Sequence, residues 1–594
     1  MLQLGTVFSG IGAIEHALER LGIPYNIAFA CDNGGINIFE KKVEKDLLSV
    51  QKAVAELGEF LSSTSIDDFQ DSNALELKKH IDDIYINCNQ LDTIYSSISN
   101  DIVSKPILKN CIDQFLNRFE ELKEKNKIPA KISKKYELIK EYKVDTLLFA
   151  EILKYLRDTL SKEDFNKLNE NEIVLTIEMT FSNQSKLLKE LFTETTDSIS
   201  MLYERIQTTQ VHEQLNKLAS PKDKKSYVDE LYAKKKGSNF VYQTYKENYK
   251  IDDEDFHWNI SFLDGAAYRN KIDLFVGGSP CQSFSMVGKR RGLEDTRGTL
   301  FYEYARLIQE IQPKVFIYEN VRGLLNHDDG NTWEIMQQVF DDLGYNWDME
   351  ILNSKNYGVP QNRDRIFVVG FRKDLILAEE FTFPKQIELT TKMQDYLLDN
   401  VSGKYYLNHK GVDFVTMEKN IAKRYTQIDG DIQLCQKANQ QFNWHGDFVF
   451  VEENQNMDQT MEDLEKYFLS AKVEKYVMSS GTKTFYSKPE IDLEIARPLL
   501  TTMHKMHRAG IDNYVTTAGR IRKLTPRECL RLMGFCDTFK IVVSDTQMYQ
   551  QAGNSIVVDV LMHILRQIII SVPQITKGTE YQLREIDIQQ MQLT

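Results

Sequence analysis

The chain has 594 residues, 42% of them hydrophobic, which is too long for one ordinary domain and apolar enough for more than one core. Its seven cysteines include no CxxC pair and no Cys/His cluster of zinc spacing, so the composition argues against a disulfide scaffold or a metal site and for free thiols in a reducing compartment. A formal net charge of −14 excludes a uniformly basic nucleic-acid binder, but phosphate binding needs only a local basic surface.

Met1 to Phe8 reads as a strand, so neither a signal peptide nor a membrane span is expected, and a cytoplasmic protein is. Leu4–Phe8 runs into Ser9-Gly10-Ile11-Gly12, and Ala13–Leu21 follows with Ile14, Ala17, Leu18 and Leu21 on one helical face. The third glycine of a dinucleotide fingerprint is missing, since Glu15 stands there. That favours a ligand without a pyrophosphate. The next strand, Ile27–Cys31, ends at Asp32, which can accept from ribose hydroxyls or simply turn the chain before Asn33-Gly34.

Residues 41–239 then read as an inserted, all-helical domain. Between Lys41 and Lys236 there is one glycine, Gly58, with prolines only at 106, 129 and 221. Val43, Leu47, Val54, Leu57 and Leu61 recur at helical spacing, as do Leu148, Ile152, Leu153 and Leu156, and Leu187, Leu188, Leu191 and Phe192. Such stripes fit helix-packing cores. Lys123–Lys135 and Lys222–Lys236 are lysine-rich, and a solvated face accounts for each more simply than an arm on DNA.

Ile272–Val276 is a short apolar run that predicts a buried parallel strand, broken by Gly277-Gly278 before Ser279-Pro280-Cys281-Gln282. Phe301–Ile311 has the spacing of one crossover helix, and Lys314–Tyr318 predicts a second strand ending in Glu319-Asn320-Val321. A right-handed βαβ unit would bring Cys281 and Glu319 to one sheet edge, where open α/β sheets bind ligands. An isolated cysteine is usually a small buried hydrophobe and an isolated glutamate a loop residue; the pair raises the odds of chemistry. Gly288-Lys289-Arg290-Arg291-Gly292 and Arg297-Gly298 suggest a cationic loop or an ordinary exposed turn. Gln361-Asn362-Arg363-Asp364-Arg365 enters a further strand, Ile366–Phe371, with arginines expected on one side. From about Pro384 to Ile495 the α/β rhythm is lost, with a strand-like run at Phe448–Glu452. Thr525-Pro526-Arg527-Glu528 announces a capped helix that Gly534 ends, and Gln551-Ala-Gly-Asn554-Ser555 leads into an apolar helix, Ile556–Ile570.

Pro280-Cys281-Gln282, Glu319-Asn320-Val321 and Gln361-x-Arg363-x-Arg365, in this order, resemble the DNA cytosine-5 methyltransferase family of bacterial type. The resemblance covers nearly everything except the insertion. It implies an α/β, Rossmann-like S-adenosylmethionine-dependent methyltransferase sheet with a smaller target-recognition domain. The catalytic domain would comprise 1–40, 240–384 and 548–594, and the recognition domain 385–547. It implies Cys281, Glu319, Arg363 and Arg365 as catalytic residues. Phe8, Gly10, Gly12, Asp32, Asn259, Ile260, Leu300, Asn554 and Ser555 would bind S-adenosylmethionine, leaving S-adenosylhomocysteine as product, with no metal. Gln282, Ser285, Lys289, Arg290, Arg291 and Arg297 would form a loop on DNA. Two departures stand out: Gly34 replaces the second acidic residue after Asp32, and Asn259 replaces the aspartate usual against the adenine. The expected partner is double-stranded DNA, a restriction endonuclease being a further candidate, and the expected state a monomer. The alternatives are an RNA cytosine-5 methyltransferase and a catalytically silent DNA-binding protein on this fold.

Overall fold

The structure, a computed structural model, describes residues 1–63, 73–104, 106–125, 152, 155–156, 158, 166, 173–280, 300–398, 407, 409–436, 444–449, 488–489, 514–517 and 520–576. They fall into two compact units, Met1–Ile38 with Leu215–Thr594, and Phe39–Gln214.

The first unit is organised by β1 (Leu2–Val7), β2 (Tyr25–Cys31), β3 (Phe256–His257), β4 (Leu274–Gly277), β5 (Val315–Val321), β6 (Tyr345–Asn353) and β8 (Asp364–Arg372), with the short β7 (Gln361–Asn362) outside this sheet. The order across it is β3-β2-β1-β4-β5-β8-β6. Strands β3, β2, β1, β4 and β5 are mutually parallel, while β8 runs antiparallel to both neighbours. This is the expected α/β sheet, in which β1 and β4 at the centre are buried on both faces, as continuous apolar runs require. Gly5 lets the Phe29 ring cross β1, since a Cβ there would lie 2.6 Å from that ring.

Helix α1 (Ala13–Leu21) follows β1. The crossover from β4 to β5 is α8 (Leu300–Ile311), which buries Phe301, Tyr304, Ala305, Ile308 and Ile311, and α9 (Asn331–Asp342) lies between β5 and β6. Tyr304 stacks on Phe275 at 5.0 Å and donates to the Ile317 carbonyl. Near the C-terminus, α10 (Pro526–Arg531) carries the expected capping box of Thr525 and Glu528, and α11 (Asp545–Asn554) leads to α12 (Val558–Ser571). Arg20 of α1 grips both carboxylate oxygens of Asp559 on α12 at 2.9 and 3.1 Å and donates to the Gly534 carbonyl. The stretch Asp545–Ser571 is long and apolar enough to cross a membrane, but most of it is buried in this core.

A second, four-stranded sheet joins β9 (Thr426–Ile428), β11 (Gly446–Val449), β12 (Tyr514–Thr517) and β13 (Arg520–Lys523), while β10 (Gln433–Leu434) pairs with β7. The strand expected at Phe448–Glu452 is Gly446–Val449; residues 450–452 lie outside the described residues. These strands fall in the same compact unit as the seven-stranded sheet.

The second unit contains α2 (Leu47–Ser63), α3 (Asn73–Ser104), α4 (Pro106–Lys125) and most of α5 (Ile173–Lys217). Its core joins Leu57, Phe115, Phe119, Ile152, Leu188 and Phe192, so the helical stripes do pack; Leu187, by contrast, is exposed, and Leu148 and Leu153 lie outside the described residues. The unit ends at Gln214 rather than at 239. The chain beyond, with α6 (Pro221–Tyr232) and α7 (Phe240–Asn248), packs in the first unit: Tyr232 stacks on Trp258 and Lys224 pairs with Asp264. Several lysines of this stretch have carboxylate partners, Lys225 with Asp229 and Lys236 with Asp253.

Candidate active site

Where β1, β4 and β5 end, a cleft of about 480 Å³, part of it open to solvent, is lined by Thr6, Phe8, Gly10, Gly277, Gly278, Glu319 and Asn554–Ile556, among others. The sheet order explains the gathering: β1 lies between β2 and β4, so the turns after β1 and β4 face one another. Phe8 adopts φ 53° and Gly10 φ 53°. A left-handed phenylalanine is strained, the kind of outlier that collects at binding sites.

Asp32 caps the neighbouring turn. Its carboxylate accepts from the Gly10 and Gly34 amides at 2.9 and 2.8 Å, and burial pushes its pKa up despite those bonds. Gly12 is not a lining residue. Its Cβ would lie 2.1 Å from the Tyr249 ring, whose hydroxyl donates to the Gly12 carbonyl, so this glycine serves packing. Ile260 is a core residue, and Leu300 starts α8 against the same core. Asn259 uses its amide internally, accepting from Ser261 N and donating to the Tyr232 hydroxyl. None of these three lines the cleft.

On the β5 side, Glu319 Oε1 accepts from Arg365 Nε at 3.0 Å, both side chains being about 15% exposed. Burial raises the Glu319 carboxyl above the ordinary range, and Arg365 then Arg363 oppose that rise. Gly278 makes room for this pair: a Cβ there would lie 2.5 Å from the Glu319 carbonyl. Asn320 donates to the Ser279 carbonyl and to the Tyr318 hydroxyl, and Ser279 Oγ bonds that same hydroxyl at 2.7 Å. This buried network fixes the chain just before Pro280. Sequence reading quoted Asn320 in its motif without giving it this task. Cys281 lies outside the described residues, as do Gln282, Ser285, Lys289, Arg290, Arg291 and Arg297.

The two arginines diverge rather than sharing a side. Arg365 begins the long strand and meets Glu319. Arg363, only 2% exposed, donates to the carbonyls of Gln436, Gly553 and Ser555 at 2.7–3.1 Å. Burial, then the charge of Arg365, lowers its pKa to about 10. It therefore holds the Gly553–Ser555 wall of the cleft.

Residues 223–570 match the C-5 cytosine-specific DNA methylase family. The chain belongs to this family. It is 33% identical over 369 residues to the orphan methyltransferase M.SPRI of Bacillus phage SPR, covering 50% of this chain and 83% of that protein. It is 32% identical over 296 residues to the type II methyltransferase M.HhaI of Haemophilus parahaemolyticus, covering 49% of this chain and 74% of that protein. A third relative, the type II methyltransferase M.HpaII of Haemophilus parainfluenzae, is 34% identical over 293 residues, 48% of this chain and 69% of that protein. The helical unit Phe39–Gln214 precedes the matched span. As a DNA cytosine methyltransferase, the protein belongs to a family whose methyl donor is S-adenosylmethionine, and the cleft fits such a group: a glycine turn beside a carboxylate, with an aromatic side chain.

Sequence reasoning also passed over Glu15, noted only as a missing glycine. It is fully buried, accepts from Tyr245 and Thr6, and has its pKa raised to about 7, chiefly by burial. A charged residue on the buried face of a nine-residue helix was the available signal.

Proposed function

We propose that this enzyme methylates C5 of a cytosine flipped out of a specific duplex site. The observation that carries the reading is the Glu319–Arg365 pair, largely buried at the end of β5 beside the cleft, with Gly278 packed against Glu319. S-Adenosylmethionine would supply an electrophilic methyl group, held by Phe8, Gly10, Asp32, Asn554 and Ser555. Cytosine C5 is a weak nucleophile, so the Cys281 thiolate adds to C6 and makes C5 enamine-like. Glu319 would hydrogen-bond N3 and take up charge as the thiolate adds, and burial shifts its carboxyl in the direction that this role needs. Arg365 holds Glu319 and is placed to reach O2, while Arg363 acts one step back, as a strut. Loss of the C5 proton and expulsion of the thiolate return the enzyme. The target base must leave the stack for any of this. The segment 385–547 would read the site, and the loop with Lys289, Arg290, Arg291 and Arg297 would close on the backbone.

Duplex DNA, rather than RNA, is the substrate favoured by the relatives' names, and a type II or orphan modification role in the cytoplasm follows. Expression in a methylation-free cell, with sequencing of converted DNA, tests this: 5-methylcytosine at one recognition sequence is expected. Methylation of RNA alone, or of neither, would overturn it.

A further inference from the structure

A short chain of polar groups runs from the core to the wall of the cleft. Glu15, on the buried face of α1, is fully buried. Its Oε1 accepts from the Tyr245 hydroxyl of α7 and from Thr6 Oγ1 of β1 at 3.3 Å, while Oε2 is buried with no hydrogen-bond partner. Thr6 Oγ1 in turn bonds Ser9 Oγ at 2.7 Å. Ser9 Oγ accepts from Cys31 N at 3.1 Å and lies 3.3 Å from the Cys31 carbonyl. Thr6 and Ser9 both line the cleft. Two hydroxyls thus join a buried carboxyl to the ligand space.

Each hydroxyl has one hydrogen and two lone pairs, so the carboxyl sets the direction of the chain. An ionised Glu15 only accepts: Thr6 donates to it, Ser9 donates to Thr6, and Ser9 keeps one lone pair for the cleft. A protonated Glu15 releases Thr6 to donate to Ser9. Both Ser9 lone pairs are then taken, and its hydrogen is left for the Cys31 carbonyl or the cleft. Burial raises the Glu15 carboxyl to about 7, so both states are within reach near neutrality. The groups around Glu15 leave this titration to it. Tyr245 and Tyr249 of α7 and Tyr25 of β2 have their hydroxyls pushed up by burial and stay neutral. Burial also keeps the neighbouring His16 neutral, its pKa lowered to about 3, and Glu19, one turn on, adds a repulsion that raises Glu15 further.

We propose that Glu15 is a positioning residue that, through Thr6 and Ser9, ties capture of the positively charged methyl donor to its own ionisation. The inference rests on the cofactor reading above and deepens it. S-Adenosylmethionine carries a sulfonium and an ammonium. An ionised Glu15 offers them a negative charge behind the cleft wall and an acceptor in it, and a protonated Glu15 offers neither. Binding therefore draws the proton off Glu15, and by linkage the donor binds more tightly where that proton is already gone.

The test is calorimetry on the full-length protein from about pH 5.5 to about pH 8, a range that brackets the Glu15 titration. The ligands are S-adenosylmethionine, S-adenosylhomocysteine, which keeps only the ammonium, and methylthioadenosine, which carries neither charge. S-Adenosylmethionine should bind about tenfold more tightly at the upper end, the effect of a pKa lowered by about one unit on binding. Methylthioadenosine should bind equally at both ends. S-Adenosylhomocysteine says which charge Glu15 answers: a matching rise supports the proposal through the ammonium, and no rise supports it through the sulfonium. In Glu15→Gln the rise should vanish. Asp32 and Glu319, whose carboxyls burial also raises, are intact there, so a rise of their making would persist. Thr6→Val, of the same shape, keeps the carboxyl but breaks the relay, and should flatten the rise too; it decides the matter should the glutamine variant not fold. A rise retained in either variant, a flat profile for S-adenosylmethionine in the wild type, or an equal rise for methylthioadenosine would overturn the proposal. The two levels separate: if none of the three ligands binds the wild type, the cofactor reading itself falls, whereas binding without the pH dependence removes only the role of Glu15.

Discussion

The sheet unit and the helical unit both bury apolar stripes, but they treat polar side chains differently. Among the described residues of Phe39–Gln214, the buried polar side chains are Thr195 and Thr196, and each donates to the carbonyl four residues earlier in its own helix. The sheet unit instead buries Glu15, Asn239, Asn320, Gln361, Arg363 and Asp559, and uses them to tie distant segments together. A buried polar group costs stability unless it is paired. A unit that accepts that cost repeatedly is fixing the geometry between distant segments; a unit that avoids it needs only to pack.

The largest effect that sharpens this contrast is expected at Arg20. Arg20→Met leaves Asp559 buried without its partner and should cost about 3–5 kcal/mol in urea unfolding. An apolar truncation in the helical core, Phe115→Ala, should cost a similar amount, about 3–5 kcal/mol, yet leave S-adenosylhomocysteine affinity unchanged. If it lowered that affinity as much as an active-site change does, the two units would not be separable in function.

Glu15 comes next. Its folded-state pKa is raised from 4.5 to about 7, so its contribution to stability is fully present below about 4.5 and is lost as pH rises through 7. Glu15→Gln removes that dependence, and should gain roughly 3 kcal/mol relative to wild type between pH 4.5 and 8.5. Parallel stability–pH curves for the two proteins would contradict the burial of an ionisable group at that position. Asp32→Ala should weaken cofactor binding by about 1–3 kcal/mol through unpaired ribose hydroxyls and a loosened Gly10–Gly34 turn, measured calorimetrically.

The smallest effect is expected from the lysines of 123–135 and 222–236. Each phosphate neutralised adds about 0.9 to the log–log salt slope of DNA binding. Replacing both sets by glutamine should leave that slope nearly unchanged on short target duplexes, since Lys224, Lys225 and Lys236 already have carboxylate partners. A fall of about two or more would make these segments part of a DNA clamp.

The strands were legible because their apolar runs are largely buried: β1, β2 and β4 fall within two residues of expectation, while β5 runs three residues further, to Val321. Motif spacing after a strand also fixes where a side chain emerges, and Glu319, Asn554 and Gly10 do line the cleft, with Arg365 paired to Glu319. Arg363, Gly12 and Asn259 were legible as positions but not as roles. Their partners, Gln436, Tyr249 and Tyr232, are distant in sequence, and no local pattern announces a bond across such a gap.

The central claim is that Cys281 attacks C6 of a flipped cytosine, and trapping tests it most directly. A duplex with 5-fluorocytosine at the target, incubated with enzyme and S-adenosylmethionine, should give a protein–DNA adduct that survives denaturation, because fluorine cannot leave as a proton does and elimination stalls. Cys281→Ala should give none. An adduct of undiminished yield in Cys281→Ala would contradict the account.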